Sequence, residues 1–174
     1  AEINHNERMY YLRTLRNWVR KHGSADVVYF DESGFTKHSY RPHGWAKRGE
    51  KVFGKISGNN RKATNLIMAQ RGSEWLAPML FERSCTHHTV IAWMKQALLP
   101  ELRSNSLVIM DNAPFHNKPQ MKELLETNGH AMLALPKYSP DFNPIEQSFA
   151  ILKRRRQFST LTLDQIVASN YKLE

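Results

Sequence analysis

Short apolar runs separated by polar turns predict that helices and strands alternate along this chain. In residues 7–20, apolar side chains recur every three or four positions with arginines between them, which predicts an amphipathic helix that ends at Gly23. Residues 26–31 form a compact apolar run, which predicts a strand buried on both faces. Further strand-like segments joined by turns predict an antiparallel meander: 51–56, 63–70 and 75–82.

The pattern changes after this meander to one that predicts a parallel half. Apolar residues at helical spacing predict a helix over 87–99. A strand, a helix ended by Gly129, and a second strand are predicted at 106–111, 118–128 and 130–135. Two strands joined by one helix form a βαβ unit, whose strands are parallel. Two more helices are predicted over 144–156 and 163–170, so the fold class is α/β with helices packed on a mixed sheet.

Composition narrows the class of protein. The chain has 174 residues, of which 41% are hydrophobic, and this is enough for one globular domain with a proper core. No apolar run approaches the roughly 20 residues that span a bilayer, so we expect no membrane partner. The single cysteine, Cys85, excludes an internal disulfide and a cysteine-based zinc site, and it favours an intracellular setting.

The net charge of +9 favours a polyanionic partner, and the excess is concentrated in two segments. Residues 37–62 hold eight Lys and Arg against one acidic residue, with aromatic residues between them, and 153–156 read KRRR. One charged run is ordinarily a solvated surface, but two such runs favour nucleic-acid binding. Segment 37–62 could alternatively contact a second subunit. The predicted DNA-binding residues are Lys47, Arg48, Lys137, Lys153, Arg154 and Arg155.

Two of the predicted apolar strands run directly into an aspartate, Asp31 and Asp111. Ligands of open α/β sheets bind beyond the carboxyl ends of central parallel strands, so neighbouring strands would bring these carboxylates together. Like charges that close repel unless a cation lies between them, and oxygen-only ligands favour Mg²⁺ or Mn²⁺ over zinc. Each aspartate could alone be a turn residue, since DESG and DNAP are good turn sequences. Asn112 and His116 either support such a site or are a turn residue and a surface histidine.

Glu146 is the candidate third carboxylate. A proline-rich loop leads into the helix over 144–156, on which Ile145, Phe149 and Leu152 form the stripe that packs on the sheet. Glu146 lies one residue round from that stripe and can reach towards the strand ends. Alternatively, Glu146 has a structural role in a capping box, with Asn143 as the N-cap and Pro144 at the first helical position. We hypothesise that the three acids hold two Mg²⁺ ions, as in two-metal phosphoryl-transfer sites.

Three motifs, in this order, carry a family resemblance: DESGF (31–35), VIMDNAPFH (108–116) and LPKYSPDFNPIEQSFAILKR (135–154). They resemble the catalytic domain of the mariner-like superfamily of DDE transposases, in particular its bacterial insertion-sequence branch. The 34 residues between Asp111 and Glu146 are a spacing typical of that group. GWAKRGEKV (44–52) also resembles the family, and the resemblance runs from about residue 26 to 157.

The resemblance implies an RNase H-like fold with a mixed five-stranded sheet and helices on both faces. It places Asp31 on the first strand, Asp111 on the fourth and Glu146 on the last helix. It implies Mg²⁺-dependent cleavage of DNA at transposon ends, with Mn²⁺ able to substitute, and transfer of the freed 3′-hydroxyl into target DNA. The implied partners are DNA and a second copy of the chain bound to it, in the cytoplasm of a bacterium with the nucleoid.

The domain division follows from the same resemblance. Residues 1–24 are predicted to form an N-terminal helix and linker, and 25–174 the catalytic domain. The family's N-terminal helix-turn-helix region is not found here, so we do not expect this chain alone to recognise transposon ends specifically. Alternatives are an RNase H-like nuclease without strand transfer and a decayed or domesticated DNA-binding module. A receiver-like phosphoacceptor domain also places acids at strand ends, but its fit to the +9 charge is poor.

Overall fold

The computed structural model describes residues 4–36, 63–112 and 117–171, and they form a mixed five-stranded sheet covered by helices. The strands are β1 (Val27–Thr36), β2 (Ala63–Arg71), β3 (Glu74–Phe81), β4 (Leu107–Met110) and β5 (Ala131–Ala134). Their order in the sheet is β3-β2-β1-β4-β5. β1, β2 and β3 pair antiparallel, whereas β4 pairs parallel with β1 and with β5. The predicted meander and parallel half are therefore confirmed, while the predicted strand at 51–56 lies outside the described residues.

The helices lie close to their predicted positions. They are α1 (His5–His22), α2 (His87–Trp93), α3 (Leu99–Glu101), α4 (Lys118–Thr127), α5 (Ile145–Phe158) and α6 (Leu163–Ala168). A π-helical turn over Met94–Leu98 joins α2 to α3, and a 3₁₀ turn over Pro140–Phe142 precedes α5. Gly23 ends α1 with a φ of 85°, and Gly129 follows α4 with a φ of 79°, which is backbone that glycine adopts at little cost.

Helices cover both faces of the sheet. Val28, Phe30, Val108 and Met110 pack on one face against α2, the π-helical turn and α4. The opposite face, which we call the α5 face, is covered by α1, α5 and α6. All four residues of β4 are buried, as expected for a central parallel strand. Within the described residues, no helix has the length and apolar character needed to cross a membrane.

β1 is longer than predicted, and this corrects the expected position of Asp31. The strand continues for ten residues, so Asp31 lies within it and not at its end. The reason is the antiparallel pairing with β2, which supplies hydrogen-bonding partners from Val28 to Thr36. The parallel pairing with β4 stops earlier, at Phe30 and Met110. Asp31 is therefore the first residue of β1 beyond the parallel part of the sheet.

Candidate active site

Asp31 and Asp111 are the next residues in register after the last parallel pair of β1 and β4. That pair is Phe30 and Met110, and neighbouring strands lie roughly 4.8 Å apart. Side chains alternate between the faces of a strand, so Asp31 points to the same side as Val27, and Asp111 to the same side as Leu107. Both of those residues pack on the α5 face. The two carboxyl groups therefore share one face of the sheet although 80 positions separate them in the sequence.

The environment of Asp31 disfavours its charge. Burial raises the pKa of Asp31 to about 7, and the negative charges of Glu32 and Asp111 act in the same direction. The backbone N–H of Glu32 donates to Oδ1 of Asp31 over 2.8 Å and partly opposes the shift. The Glu32 side chain accepts a hydrogen bond from the thiol of Cys85, at 3.4 Å, and so has a structural contact of its own.

Glu146 lies in the first turn of α5 with its side chain exposed. Ile145, Phe149 and Leu152 are buried on the α5 face, as predicted, and they hold this helix against the sheet. A cleft of about 400 Å³ opens at the end of β4. The residues that line it are Asp111, Asn112, Leu135, Pro136, Lys137, Tyr138, Ser139, Pro140, Asn143 and Glu146. Asp111 and Glu146 thus line the same cleft.

Asn143 does not cap α5, contrary to the capping box weighed from the sequence. The helix begins at Ile145, Pro144 occupies the N-cap position, and no side chain caps it. The carboxamide of Asn143 is buried and its Nδ2 donates to Oδ2 of Asp31 over 3.0 Å. A cap would use Oδ1 of Asn143 as an acceptor, whereas this contact uses Nδ2 as a donor, so the hydrogen bond to Asp31 does not depend on a cap. Sequence reasoning missed this contact because an Asn before Pro gives the same local signal in either role.

The loop before α5 is also held from the other side by α1. Nη1 of Arg8 donates to Oδ1 of Asp141 over 2.9 Å and to Oγ of Ser139 over 3.0 Å, and Nη2 donates to Oδ2 of Asp141. The guanidinium carbon lies 3.9 Å from the ring centroid of Phe142. Nothing in the sequence pattern of residues 7–20 distinguishes this arginine from its neighbours.

The donor atoms fit a hard divalent cation. The neighbouring Asp31 and Asp111 carboxylates offer only oxygen, which suits Mg²⁺ or Mn²⁺ and not zinc, and a cation there would relieve their mutual repulsion. No three His, Cys, Asp or Glu side chains in the described part of the chain lie close enough together to hold a metal ion. The structure thus brings the two aspartates together and places Glu146 in the same cleft, outside their immediate contact.

The other residues predicted for the site are distributed around the cleft. Asn112 is half-buried and lines it, as does the exposed Lys137. The exposed residues Lys153, Arg154 and Arg155 lie on α5, roughly two turns beyond Glu146. Nη1 of Arg155 donates to Oδ1 of Asn170 over 2.7 Å. Lys47, Arg48 and His116 lie outside the described residues.

A family model described as "DDE superfamily endonuclease" matches residues 26–165, which is most of the chain and includes all three acids. The chain belongs to this family. The predicted resemblance to DDE enzymes is thereby confirmed, and the bacterial insertion-sequence branch stays a prediction. No curated protein sequence matches the chain.

Solved structures of Mos1 transposase share the fold of this DDE-family chain. In the Mos1 strand transfer complex the TM-score is 0.71 at 19% identity, covering 96% of this chain and 53% of that one. The mariner Mos1 paired end complex with Mg gives 0.72 at 19% identity, covering 97% and 57%. The catalytic domain of Mos1 mariner transposase gives 0.62 at 18%, covering 96% and 80%. The likeness confirms the predicted RNase H-like fold, and this chain spans about half the length of the chains in the Mos1 complexes.

Proposed function

We propose that this chain is the catalytic domain of a mariner-like DDE transposase. Its reaction is divalent-metal-dependent cleavage of DNA at transposon ends, followed by transfer of the freed 3′-hydroxyl into target DNA. The observation that carries the proposal is the register of β1 and β4, which makes Asp31 and Asp111 neighbours on the face that α5 covers. Membership of the DDE superfamily of endonucleases supports the same chemistry.

Asp31, Asp111 and Glu146 are the proposed metal ligands and catalytic residues. Bound at these carboxylates, Mg²⁺ or Mn²⁺ supplies Lewis-acid activation of the attacking oxygen and stabilisation of the departing one. Asp31 must lose its proton to bind a cation, and its pKa of about 7 means that protons compete for the same oxygen atoms near neutral pH. Glu146, exposed on the first turn of α5, is free to turn into the cleft that it shares with Asp111.

The proposed partner is DNA, and exposed basic residues at the cleft and along α5 could contact its phosphates. Lys137 lines the cleft beside Asp111, within reach of a phosphate placed there. Lys153, Arg154 and Arg155 extend an exposed basic surface along α5. We further propose that two copies of the chain act together on DNA, because the related Mos1 structures are of paired-end and strand transfer complexes. The predicted bacterial branch of the family would place this activity in the cytoplasm.

A cleavage and joining assay on transposon-end DNA tests this function. Asp31→Asn, Asp111→Asn and Glu146→Gln should each reduce cleavage by about 100-fold or more, while DNA affinity changes by less than about threefold. Glu126→Gln is the matched control, because it removes an exposed carboxylate on α4, whose buried residues pack on the other face of the sheet. Cleavage that survives in the Asp111→Asn variant, or in EDTA, would contradict the proposal.

An RNase H-like nuclease without strand transfer is the alternative that the family description itself allows. Its local chemistry is the same, since both reactions use an activated oxygen to attack a phosphodiester. The products separate the two functions: joined strands support the transposase, and nicked strands alone support the nuclease. If the unaltered protein shows no metal-dependent cleavage at all, a non-catalytic DNA-binding module is favoured.

A further inference from the structure

Asn143 is a buried polar residue whose contacts join two parts of the proposed site. Only 3% of its surface is exposed. Its side-chain Nδ2 donates to Oδ2 of Asp31 over 3.0 Å, across 112 positions of sequence. Its backbone oxygen accepts from the N–H of Glu146 at 3.2 Å. One residue therefore links the carboxylate on β1 to the first turn of the helix that carries Glu146.

The other end of the Asn143 carboxamide is unsatisfied. Oδ1 is buried and has no hydrogen-bond partner within the described ranges. The amide presents its nitrogen to Asp31, as it must when a cation keeps that carboxylate ionised, and this leaves its oxygen for another donor. Buried polar atoms are nearly always paired in folded proteins, so an unpaired acceptor at a cleft is open to a donor that binds there. Asn143 is itself part of the cleft lining.

The loop that carries Asn143 is fixed on both sides of this residue. Before it, Arg8 binds Ser139 and Asp141. After it, Ile145 is fully buried against the sheet. The carboxamide therefore has little freedom to follow a displaced Asp31, and it acts as a fixed reference point for that carboxylate.

We propose that Asn143 is a positioning residue of the metal site. Its Nδ2 fixes the orientation of the Asp31 carboxylate relative to the start of α5, and its Oδ1 accepts a hydrogen bond from a water bound beside Asp31. The inference rests on the proposed function, because it assumes that Asp31 binds a divalent cation. Removing a residue that orients a metal ligand typically lowers the metal affinity by about 10- to 100-fold.

A titration of the DNA-free protein with Mn²⁺ tests this role without any activity measurement. The electron paramagnetic resonance signal of the free ion reports how much Mn²⁺ is bound. Asn143→Ala should weaken Mn²⁺ binding by about tenfold or more, with far-UV circular dichroism unchanged. Should the alanine variant fail to fold, Asn143→Ser replaces it. The serine hydroxyl keeps a polar group at the position but is too short to reach Oδ2 of Asp31, so the same loss is expected.

Ser148→Ala is the matched control. Oγ of Ser148 donates to Oε1 of Gln70 over 2.7 Å, and this bond also ties α5 to the sheet through side chains without touching an acid of the site. The control variant should bind Mn²⁺ within about twofold of the unaltered protein. Equal losses in the Ser148→Ala and Asn143→Ala variants would mean that α5 is merely loosened, and the positioning role would be wrong.

Asp31→Asn in the same titration separates this inference from the proposed function. If Asp31→Asn abolishes Mn²⁺ binding while Asn143→Ala binds like the unaltered protein, Asn143 has no positioning role and the metal site stands. If the unaltered protein and its Asp31→Asn variant bind Mn²⁺ equally, Asp31 is not a ligand, and both the site and the inference are overturned. Loss in both Asp31→Asn and Asn143→Ala, with normal binding by Ser148→Ala, supports both.

Discussion

At the scale of single residues, the Asp31 carboxyl group lies where its own charge is unfavourable. Burial raises the pKa of Asp31 to about 7 from an ordinary value of 3.8, and neighbouring negative charges add to the effect. If residue 31 served only to stabilise the fold, a neutral side chain there would make the folded protein more stable. The arrangement is explained if a cation binds there, because a cation reverses the preference between the neutral and the charged carboxyl group.

The metal-free protein should therefore become more stable when Asp31 is replaced by Asn, in a pH-dependent way. Because the folded pKa lies above the unfolded one, the cost of the charge is absent below about pH 4, grows as pH rises and is complete above about pH 7. The shift corresponds to at most roughly 4 kcal/mol, and the partial exposure of Asp31 reduces this to about 2 kcal/mol at pH 8.

Urea unfolding in EDTA at pH 4, 6 and 8 measures this difference. Asp31→Asn should exceed the unaltered protein in free energy of unfolding at pH 8, with the two converging towards pH 4. The new amide keeps an acceptor for the Glu32 N–H. A half-turn of the Asn143 carboxamide, which leaves its loop and its position unchanged, lets Oδ1 of Asn143 accept from the new amide. An unaltered protein that is the more stable of the two at pH 8 would contradict the cause assigned to the raised pKa of Asp31.

The sequence indicated the two neighbouring aspartates but not the residue that joins Asp31 to α5. That Asp31 and Asp111 lie close together was predictable because the same pattern, an apolar strand followed by an acid, occurs twice. Asn143 was not, because an Asn before Pro-Ile-Glu is a good N-cap by local criteria. Its partner lies 112 positions away, and the Asp31 carboxylate can accept from the Asn143 amide only after the chain has folded.

At the scale of elements, the helices and most strands were predictable because their apolar periodicity is local. The length of β1 was not, because residues 31–36 are held extended by pairing with β2, more than 25 positions away. The contact between α1 and the loop before α5 could not be predicted from the sequence either. It depends on Arg8 meeting Asp141 and Phe142 after both elements have packed on the same face.

Replacing Arg8 by Ala should loosen the loop that positions Asn143. Amide hydrogen exchange should become faster at Phe142 and Asn143, whose N–H groups bond within the 3₁₀ turn to Ser139 and Pro140. Since small displacements of catalytic groups are costly, DNA cleavage should fall by about tenfold. Exchange measured by nuclear magnetic resonance, together with the cleavage rate, checks both effects.

Arg13→Ala is the comparison for this variant, because Arg13 is exposed on the same helix, one and a half turns further along. It should leave exchange at Phe142 and the cleavage rate unchanged. The proposed role of the α1 contact would be wrong if Arg8→Ala and Arg13→Ala behaved alike. Asp141→Asn, which weakens the same pair from the loop side, should reproduce the effect of Arg8→Ala.

At the scale of the whole molecule, the net charge of +9 favours binding to DNA, and exposed basic residues lie on both faces of the sheet. The α5 face carries Lys153 and Arg154 beyond the cleft, whereas Lys95 and Lys122 lie on elements that cover the opposite face. Phosphate contacts release counterions, so the residues that face DNA determine how steeply affinity falls with salt. The basic segment 37–62 lies outside the described residues, and its predicted role in DNA binding stays a prediction.

The double variant Lys153→Ala with Arg154→Ala should therefore weaken DNA binding and reduce the salt slope by about one to two units. Lys95→Ala with Lys122→Ala removes the same charge from the opposite face and should leave the slope nearly unchanged. Fluorescence anisotropy with a labelled duplex between low and physiological salt measures both slopes. Equal slopes for the two double variants would show that α5 does not face DNA.

The central claim is that Asp31, Asp111 and Glu146, brought to one edge of the sheet by register and packing, share divalent cations. Crystals soaked in Mn²⁺ and measured for anomalous scattering test it most directly. We predict a strong anomalous peak between the Asp31 and Asp111 carboxylates, with the Glu146 side chain turned into the cleft towards the metal. The account would be contradicted if crystals soaked in saturating Mn²⁺ showed no anomalous peak at these carboxylates, or showed peaks only elsewhere on the surface.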